Sequence, residues 1–376
     1  MQSFIEKLWS ATREGKPLTR RARFFWGVLK LVRHGYVLGL LLRHMWHSFF
    51  KVPRAPYNIP VIAVGNLSLG GTGKSVFVRW LVQHGGFSKP AVLLRGYKSP
   101  VLLKQATFVV SDGKNIFGNA VLVGDEPLQA AQPGVSVAIG KNRSQALSSL
   151  LRVMDPVRPD VVILDDGYQT NTIRKTCTIL LVDAQAPLEN GYLFPAGPLR
   201  ELDYHRADII ILTHADRVNS MLEDIKRRYF SDLDPGRIMA GRHAFVGFFD
   251  ASDCRVLVHP GAPVVLCSGI AKPHSLEITV RQQNSIIIEH LVFFDHHAYV
   301  LADVRRIIDQ CKKNNVDICI TTEKDWTKLR DFQPLFIAAN IQCFVTKIAF
   351  EFLTVREYAV FANLLQKVLE RDQAAK

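Results

Sequence analysis

Residues 65–75, GNLSLGGTGKS, follow directly on the apolar run Pro60-Val61-Ile62-Ala63-Val64, and no other stretch constrains the fold as much. A strand that ends in a glycine-rich turn and passes into a helix aims successive backbone N–H groups at one anion, at the positive end of the helix. Gly70, Gly71 and Gly73 permit the close backbone approach such a turn needs. Lys74 is placed to reach β- and γ-phosphates, and the Ser75 hydroxyl to bind Mg²⁺. The usual G-x-x-x-x-G-K-[ST] pattern begins with a glycine where this chain has Ser68, whose hydroxyl can still donate a hydrogen bond. The expected nucleotide loop is therefore Ser68, Leu69, Gly70, Gly71, Thr72, Gly73, Lys74 and Ser75.

Such a loop sits at a strand tip of an open α/β sheet, and the rest of the chain agrees. Near-continuous Val/Ile/Leu runs at 60–66, 91–97, 120–126, 135–140, 160–167, 178–184 and 207–216 predict parallel strands covered on both faces. Helical spacing is expected over about 74–86, 141–154 and 218–229. A second set of strands is expected at 263–270, 286–294, 316–325 and 341–350, with a closing helix from Phe352 to Leu369. The fold class is a phosphate-loop-like, mostly parallel sheet flanked by helices, with a second, smaller α/β domain. The expected units are 1–54, 55–245 and 246–376, the boundary near 245 carrying no Pro/Gly/Ser linker.

The first unit differs in charge. Residues 1–54 hold eleven Lys and Arg against Glu6 and Glu14, a net +9 of the whole chain's +13. The same arm is apolar, with FFWGVLKLVRHGYVLGLLLRHMWHSFF over 24–50. Its longest uncharged stretch, Gly35–Leu42, is short of the ~18–20 residues of a spanning helix. Aromatic and leucine side chains mixed with cations predict a helix lying in an anionic membrane interface. The apolar share is too high for a nucleic-acid-binding arm, and no nucleic-acid partner is expected. The six cysteines form no C-x-x-C pair and are expected to be reduced thiols.

A phosphate loop needs a second strand tip to hold Mg²⁺, and VVILDDG offers Asp165 and Asp166. Two classes of protein fit these features: an enzyme that passes phosphate on, or a membrane-docked guanine-nucleotide switch. ILTHAD at 211–216 resembles the [NT]-K-x-D guanine tetrad, but His214 stands where the lysine belongs. Polar clusters at other strand ends favour the enzyme: Asp125 and Glu126 in VGDEP, and Asp295, His296 and His297 in FFDHHAY. A carboxylate near a histidine is suited to accept a proton from a substrate hydroxyl.

In series, VGNLSLGGTGKS, RGY (95–97), GDEP (124–127), ILDDGYQ (163–169), NGYLFPAGPLRE (190–201), SGIAKP (268–273), FFDHHAY (293–299) and TTEKDWTKL (321–329) resemble the bacterial tetraacyldisaccharide 4′-kinases of lipid A biosynthesis. The resemblance implies transfer of the ATP γ-phosphate to the 4′-hydroxyl of an acylated glucosamine disaccharide 1-phosphate. It places the enzyme at the cytoplasmic face of the bacterial inner membrane, as a peripheral protein. It implies ATP on residues 68–75, Mg²⁺ near Ser75, Asp165 and Asp166, Asp125 as general base with His296 as partner, and Lys74 as a catalytic cation. Arg200, and Arg95 beside it in role, would face anionic groups of acceptor or nucleotide. Departures from the family pattern surround these loops: Ser75 for threonine, Val76 for proline, Tyr168 for phenylalanine, Thr170 for histidine, Thr176 for aspartate, and KSPVLLKQ after RGY.

Overall fold

The computed structural model describes residues 2–49, 52–295 and 297–374. The arm is two helices, α1 (Gln2–Arg13) and α2 (Arg20–Phe49). They dock through Leu8 and Leu29, which are buried against Ala196. The run before the glycine-rich turn is β1 (Val61–Asn66), buried at every residue, and the turn opens α3 (Lys74–His84). Then come β2 (Pro90–Leu94), β3 (Thr107–Asp112), α4 (Ala120–Val123), α5 (Asp125–Ala130), β4 (Ser136–Gly140) and α6 (Arg143–Met154). After these lie β5 (Val161–Leu164), β6 (Cys177–Asp183), β7 (Ile209–Thr213), α7 (Leu222–Phe230) and the long β8 (Ile238–Phe249).

Two expectations fail here. AVLVGDE at 120–126 is not a strand but the end of one short helix and the start of another. The Asn119 side chain accepts from the Leu122 amide and caps α4, and Gly124, at φ +91°, breaks the chain before α5. The sheet position beside β4 is taken by β3, which was not anticipated and pairs antiparallel with β4. Apolar content alone does not distinguish a short buried helix from a strand.

The second half contains β9 (Arg255–Val256), β10 (Pro263–Ser268), α8 (His274–Gln282), β11 (Ile286–Val292) and α9 (Leu301–Lys313). It continues with β12 (Ile318–Thr322), α10 (Glu323–Leu329), α11 (Gln333–Ala338), β13 (Gln342–Phe352) and α12 (Val355–Ala374). The thirteen strands of the described residues form one sheet: twelve follow the order β11-β10-β12-β13-β8-β7-β6-β1-β5-β2-β4-β3, and β9 pairs with β8 beside this path.

The sheet changes direction once in its middle. From β8 to β2 and β4 the neighbours are parallel, as are β10 to β13 among themselves, but β13 runs antiparallel to β8. The start of β8, Ile238 to Ala240, pairs with β7; its continuation, Gly241 to Phe249, pairs with β13 instead. Because β13 runs back along that continuation, the carboxyl ends of the two parallel sets point at each other across a cleft. Ligand sites of open α/β sheets gather outside those ends. Position 245 lies inside β8. Beyond it, α12 returns to the first core, where Phe361 and Leu365 pack with Phe77, Trp80 and Phe350.

Candidate active site

Gly73 caps α3 in the left-handed region at φ +80°, and a Cβ there would run into the His243 ring. Both facts make the last loop glycine irreplaceable. Lys74 turns back over the loop and donates to Asn66 Oδ1 at 3.1 Å. Asn66, the fully buried last residue of β1, holds the loop by donating from Nδ2 to the Ser68 carbonyl at 2.9 Å. Thr72 is buried in the loop, whereas Leu69 is exposed at its tip.

The segment around 192–200 lies along this loop. Ser68 bridges Leu199, and the Leu69 and Arg200 amides donate to the Pro198 and Leu67 carbonyls, each at 2.7 Å. This pinning aims Arg200 inward, where its guanidinium donates to both Asp166 oxygens at 3.1 and 2.9 Å and also to Asn66 Oδ1. Lys74 Nζ stands 3.6 Å from Asp166. Burial works against the Asp166 charge, but Arg200 and Lys74 outweigh it and hold this carboxyl well below the usual carboxylate range.

The adjacent aspartate faces another way. Ser75 Oγ donates to Asp165 Oδ2 at 3.3 Å. Burial pushes Asp165 up to about 6, with nearby Glu126 adding to the shift and Lys74 opposing it. Beneath it Arg143, 2% exposed, donates to the Gly140 and Asp165 carbonyls. Burial lowers the Arg143 pKa to about 10, so the side chain remains charged.

Mg²⁺ takes oxygen ligands and keeps several waters, so one carboxylate and one hydroxyl suffice beside phosphate oxygens. Ser75 and Asp165 fit: they converge, and the raised Asp165 pKa marks a buried carboxylate short of positive charge. Asp166 already has its cations. No group of three or more His, Cys, Asp and Glu side chains among the described residues is arranged to hold a metal ion. The pair would thus hold the ion together with a triphosphate.

Asp125 opens α5, with its Oδ1 accepting from the Glu126 amide at 3.1 Å. Lys328 of α10 approaches its Oδ2 to 3.5 Å from across the cleft. His296 lies outside the described residues. His297 turns into its own half, 2.8 Å from Asp303 and stacked on Phe293. Arg95 is exposed on the loop after β2, where its charge opposes that of Arg143. The residue in the guanine-tetrad position, His214, stands 3.3 Å from Asp183, which Lys272 also contacts at 3.1 Å.

Sequence reasoning missed Asn66, Arg143, and the contacts made by Arg79, Glu323 and Lys328. Only Asn66 carried a local signal, its place before the loop. In the second half three of the recognised motifs meet at Asp325, which is fully buried and accepts from the Gly269 amide, the Tyr299 hydroxyl and the Thr322 hydroxyl. Ser268, His290 and Glu277 form a chain of 2.8 and 2.7 Å contacts in the order of a nucleophilic triad. Ser268 is completely buried, so this chain braces the start of the SGIAKP loop and presents no nucleophile.

Strand, glycine-rich turn, helix, and an acidic tip on the neighbouring parallel strand define a phosphate-loop protein of the open α/β class. A family model described as tetraacyldisaccharide-1-P 4′-kinase matches residues 28–370. Proteins named tetraacyldisaccharide 4′-kinase from Geobacter metallireducens and Parabacteroides distasonis are 33% and 31% identical to it. They cover 82% and 84% of this chain and 89% and 88% of their own length, respectively. A crystal structure of "apo" form LpxK from Aquifex aeolicus in complex with ATP superposes with a TM-score of 0.69 at 23% identity, covering 92% of this chain and 99% of that one. The chain belongs to the tetraacyldisaccharide-1-P 4′-kinase family; it is a kinase and not a nucleotide switch.

Proposed function

We propose the following division of labour for transfer of the ATP γ-phosphate to the 4′-hydroxyl of a tetraacyldisaccharide 1-phosphate. Residues 68–75 cradle the triphosphate on their backbone amides, and Lys74 swings from Asn66 and Asp166 to the β- and γ-oxygens. Ser75 and Asp165 would hold Mg²⁺, which would supply charge neutralisation on the transferring group. Asp166 orients Arg200 and Lys74 rather than binding metal directly. Asp125, with His296, accepts the proton as the 4′-oxygen forms its bond to phosphorus and ADP leaves with the electrons of the broken P–O bond. Arg200 and Arg95 face anionic groups of nucleotide or acceptor. Positioning and charge neutralisation supply most of the rate in such transfers, and these residues provide both. The observation that carries the proposal is the convergence of Lys74, Ser75, Arg200 and the two aspartates at the tips of neighbouring strands in a family member, with Glu126, next to Asp125, lining one pocket with Ser75 and Asp165. Labelled ATP with a detergent-dispersed disaccharide 1-phosphate should yield product labelled at the 4′ position; tight GTP binding without transfer would overturn it.

The arm supports a membrane-borne acceptor. By length and composition Arg20–Leu42 is long and apolar enough to cross a membrane. One face of α2, however, is docked: Trp26 and Tyr36 donate to the Ala196 and Arg200 carbonyls at 3.1 and 3.0 Å, and Lys30 lies over the Trp26 ring. The other face exposes Phe24, Leu31, Leu38, Leu41 and Met45. A helix committed to protein on one side and bare and apolar on the other is suited to lie in a membrane interface. The requirement for ATP supports a cleft that opens at the cytoplasmic face. Leu31→Asp with Leu38→Asp should weaken binding to phosphatidylglycerol vesicles; unchanged binding would sink the arm assignment.

A further inference from the structure

Helix α10 carries side chains of the second half to two elements of the first. At its start, Glu323 accepts two hydrogen bonds from Arg79 of α3, at 2.8 and 3.0 Å. Toward its end, Lys328 Nζ stands 3.5 Å from Asp125 Oδ2, with these side chains only 15% and 11% exposed. The Lys328 ammonium is buried and makes no hydrogen bond among the described residues. Holding a lysine in such a place is costly unless it faces negative charge. Its placement is stiff, because Asp325 in the first turn of α10 is tied to the Gly269 amide and the Tyr299 hydroxyl.

We infer that Lys328 is a positioning residue for the phosphoryl transfer: it orients the Asp125 carboxylate from across the cleft, and only when the two halves are together. The inference rests on the assignment of Asp125 as the base. One Asp125 oxygen is fixed by the Glu126 amide and the other faces the ammonium, so the plane of the carboxylate is set from both sides. In a loose phosphoryl-transfer transition state the base chiefly holds the attacking hydroxyl in line, so its orientation matters more than its basicity. Lys328 thereby couples closure of the cleft to readiness of the base.

The test is a double-mutant cycle on the full chain, with labelled ATP and the disaccharide 1-phosphate acceptor. Lys328→Met should lower kcat about tenfold or more while KM and ATP affinity stay within about twofold, and Lys328→Arg should restore most of the rate. In an Asp125→Asn background the same methionine substitution should cost less than about twofold, because its route of action is already gone. If Lys328→Met fails to fold, as judged by its thermal midpoint, Lys328→Gln replaces it in the cycle. Full activity of the single variant, or losses that multiply in the double variant, would overturn the inference alone. Wild-type protein that labels no acceptor would overturn the functional assignment, and this inference with it.

Discussion

The two sets of parallel strands turn their carboxyl ends toward the same cleft, but they bring different chemistry to it. At the first, Lys74, Asn66, Arg200 and Asp166 satisfy one another within one half of the molecule. At the second, Lys272, Glu323 and Lys328 each find an opposite charge on the far side, at Asp183, Arg79 and Asp125. The first edge is a preorganised anion site; the second is a latch of single ion pairs. Preorganised groups cost no rearrangement during the reaction, whereas a latch ties the reaction to closure.

Four experiments would break or sharpen this contrast. The largest effect is expected at the first edge, where Asp125→Asn should lower kcat by about 10²–10⁴ and leave ATP affinity nearly unchanged. Comparable losses in both would mean that Asp125 serves nucleotide binding. Gly73→Ala should come next, abolishing measurable ATP binding, since the new methyl meets both the His243 ring and a left-handed backbone. Retained nucleotide affinity would show that the loop is softer than a preorganised site allows.

The pH dependence separates Asp165 from Asp166. Asp165 has a pKa of about 6, above the usual carboxylate value, so the folded protein holds a proton there that the unfolded chain has lost between about pH 4 and 6. Stability contributed by this group is therefore greatest at the acid end and falls as pH rises through 6. Binding of Mg²⁺ with ATP should show the reverse, weakening up to about tenfold per unit below pH 6 as the proton competes with the ion. Asp165→Asn should flatten that dependence in calorimetric titrations. Asp166, held ionised by Arg200 and Lys74, should add nothing over the same range. The smallest effect belongs to the latch: Glu323→Gln should raise KM or lower kcat by only about two- to fivefold, because partly exposed ion pairs are worth little. A loss as large as that of Asp125→Asn would make the second edge part of the anion site.

Legibility followed the same division. The loop and the aspartate pair were visible because each is a contiguous run whose chemistry needs only a strand tip and a turn; Asp125 was singled out at the end of a run read as a strand, whereas it opens a helix. The strands of both sets were visible where apolar runs were long. The short run AVLV misled, since its helical caps, Asn119 and Gly124, are polar signals outweighed by four apolar residues. Arg143 looked like any helix-start arginine, and Lys328 like a solvated lysine on a helix. Nothing local distinguishes a buried cation from an exposed one.

The sequence by itself determined the phosphate loop, the α/β alternation and the family, because backbone geometry and hydrophobic patterning act over a few residues. Tertiary structure decided which aspartate lies against the Ser75 hydroxyl, which arginine pairs with the other, and which lysine crosses the cleft. Those outcomes depend on burial and on distances between residues far apart in the chain. In the low-dielectric interior such contacts set each charge state, and no linear pattern records them.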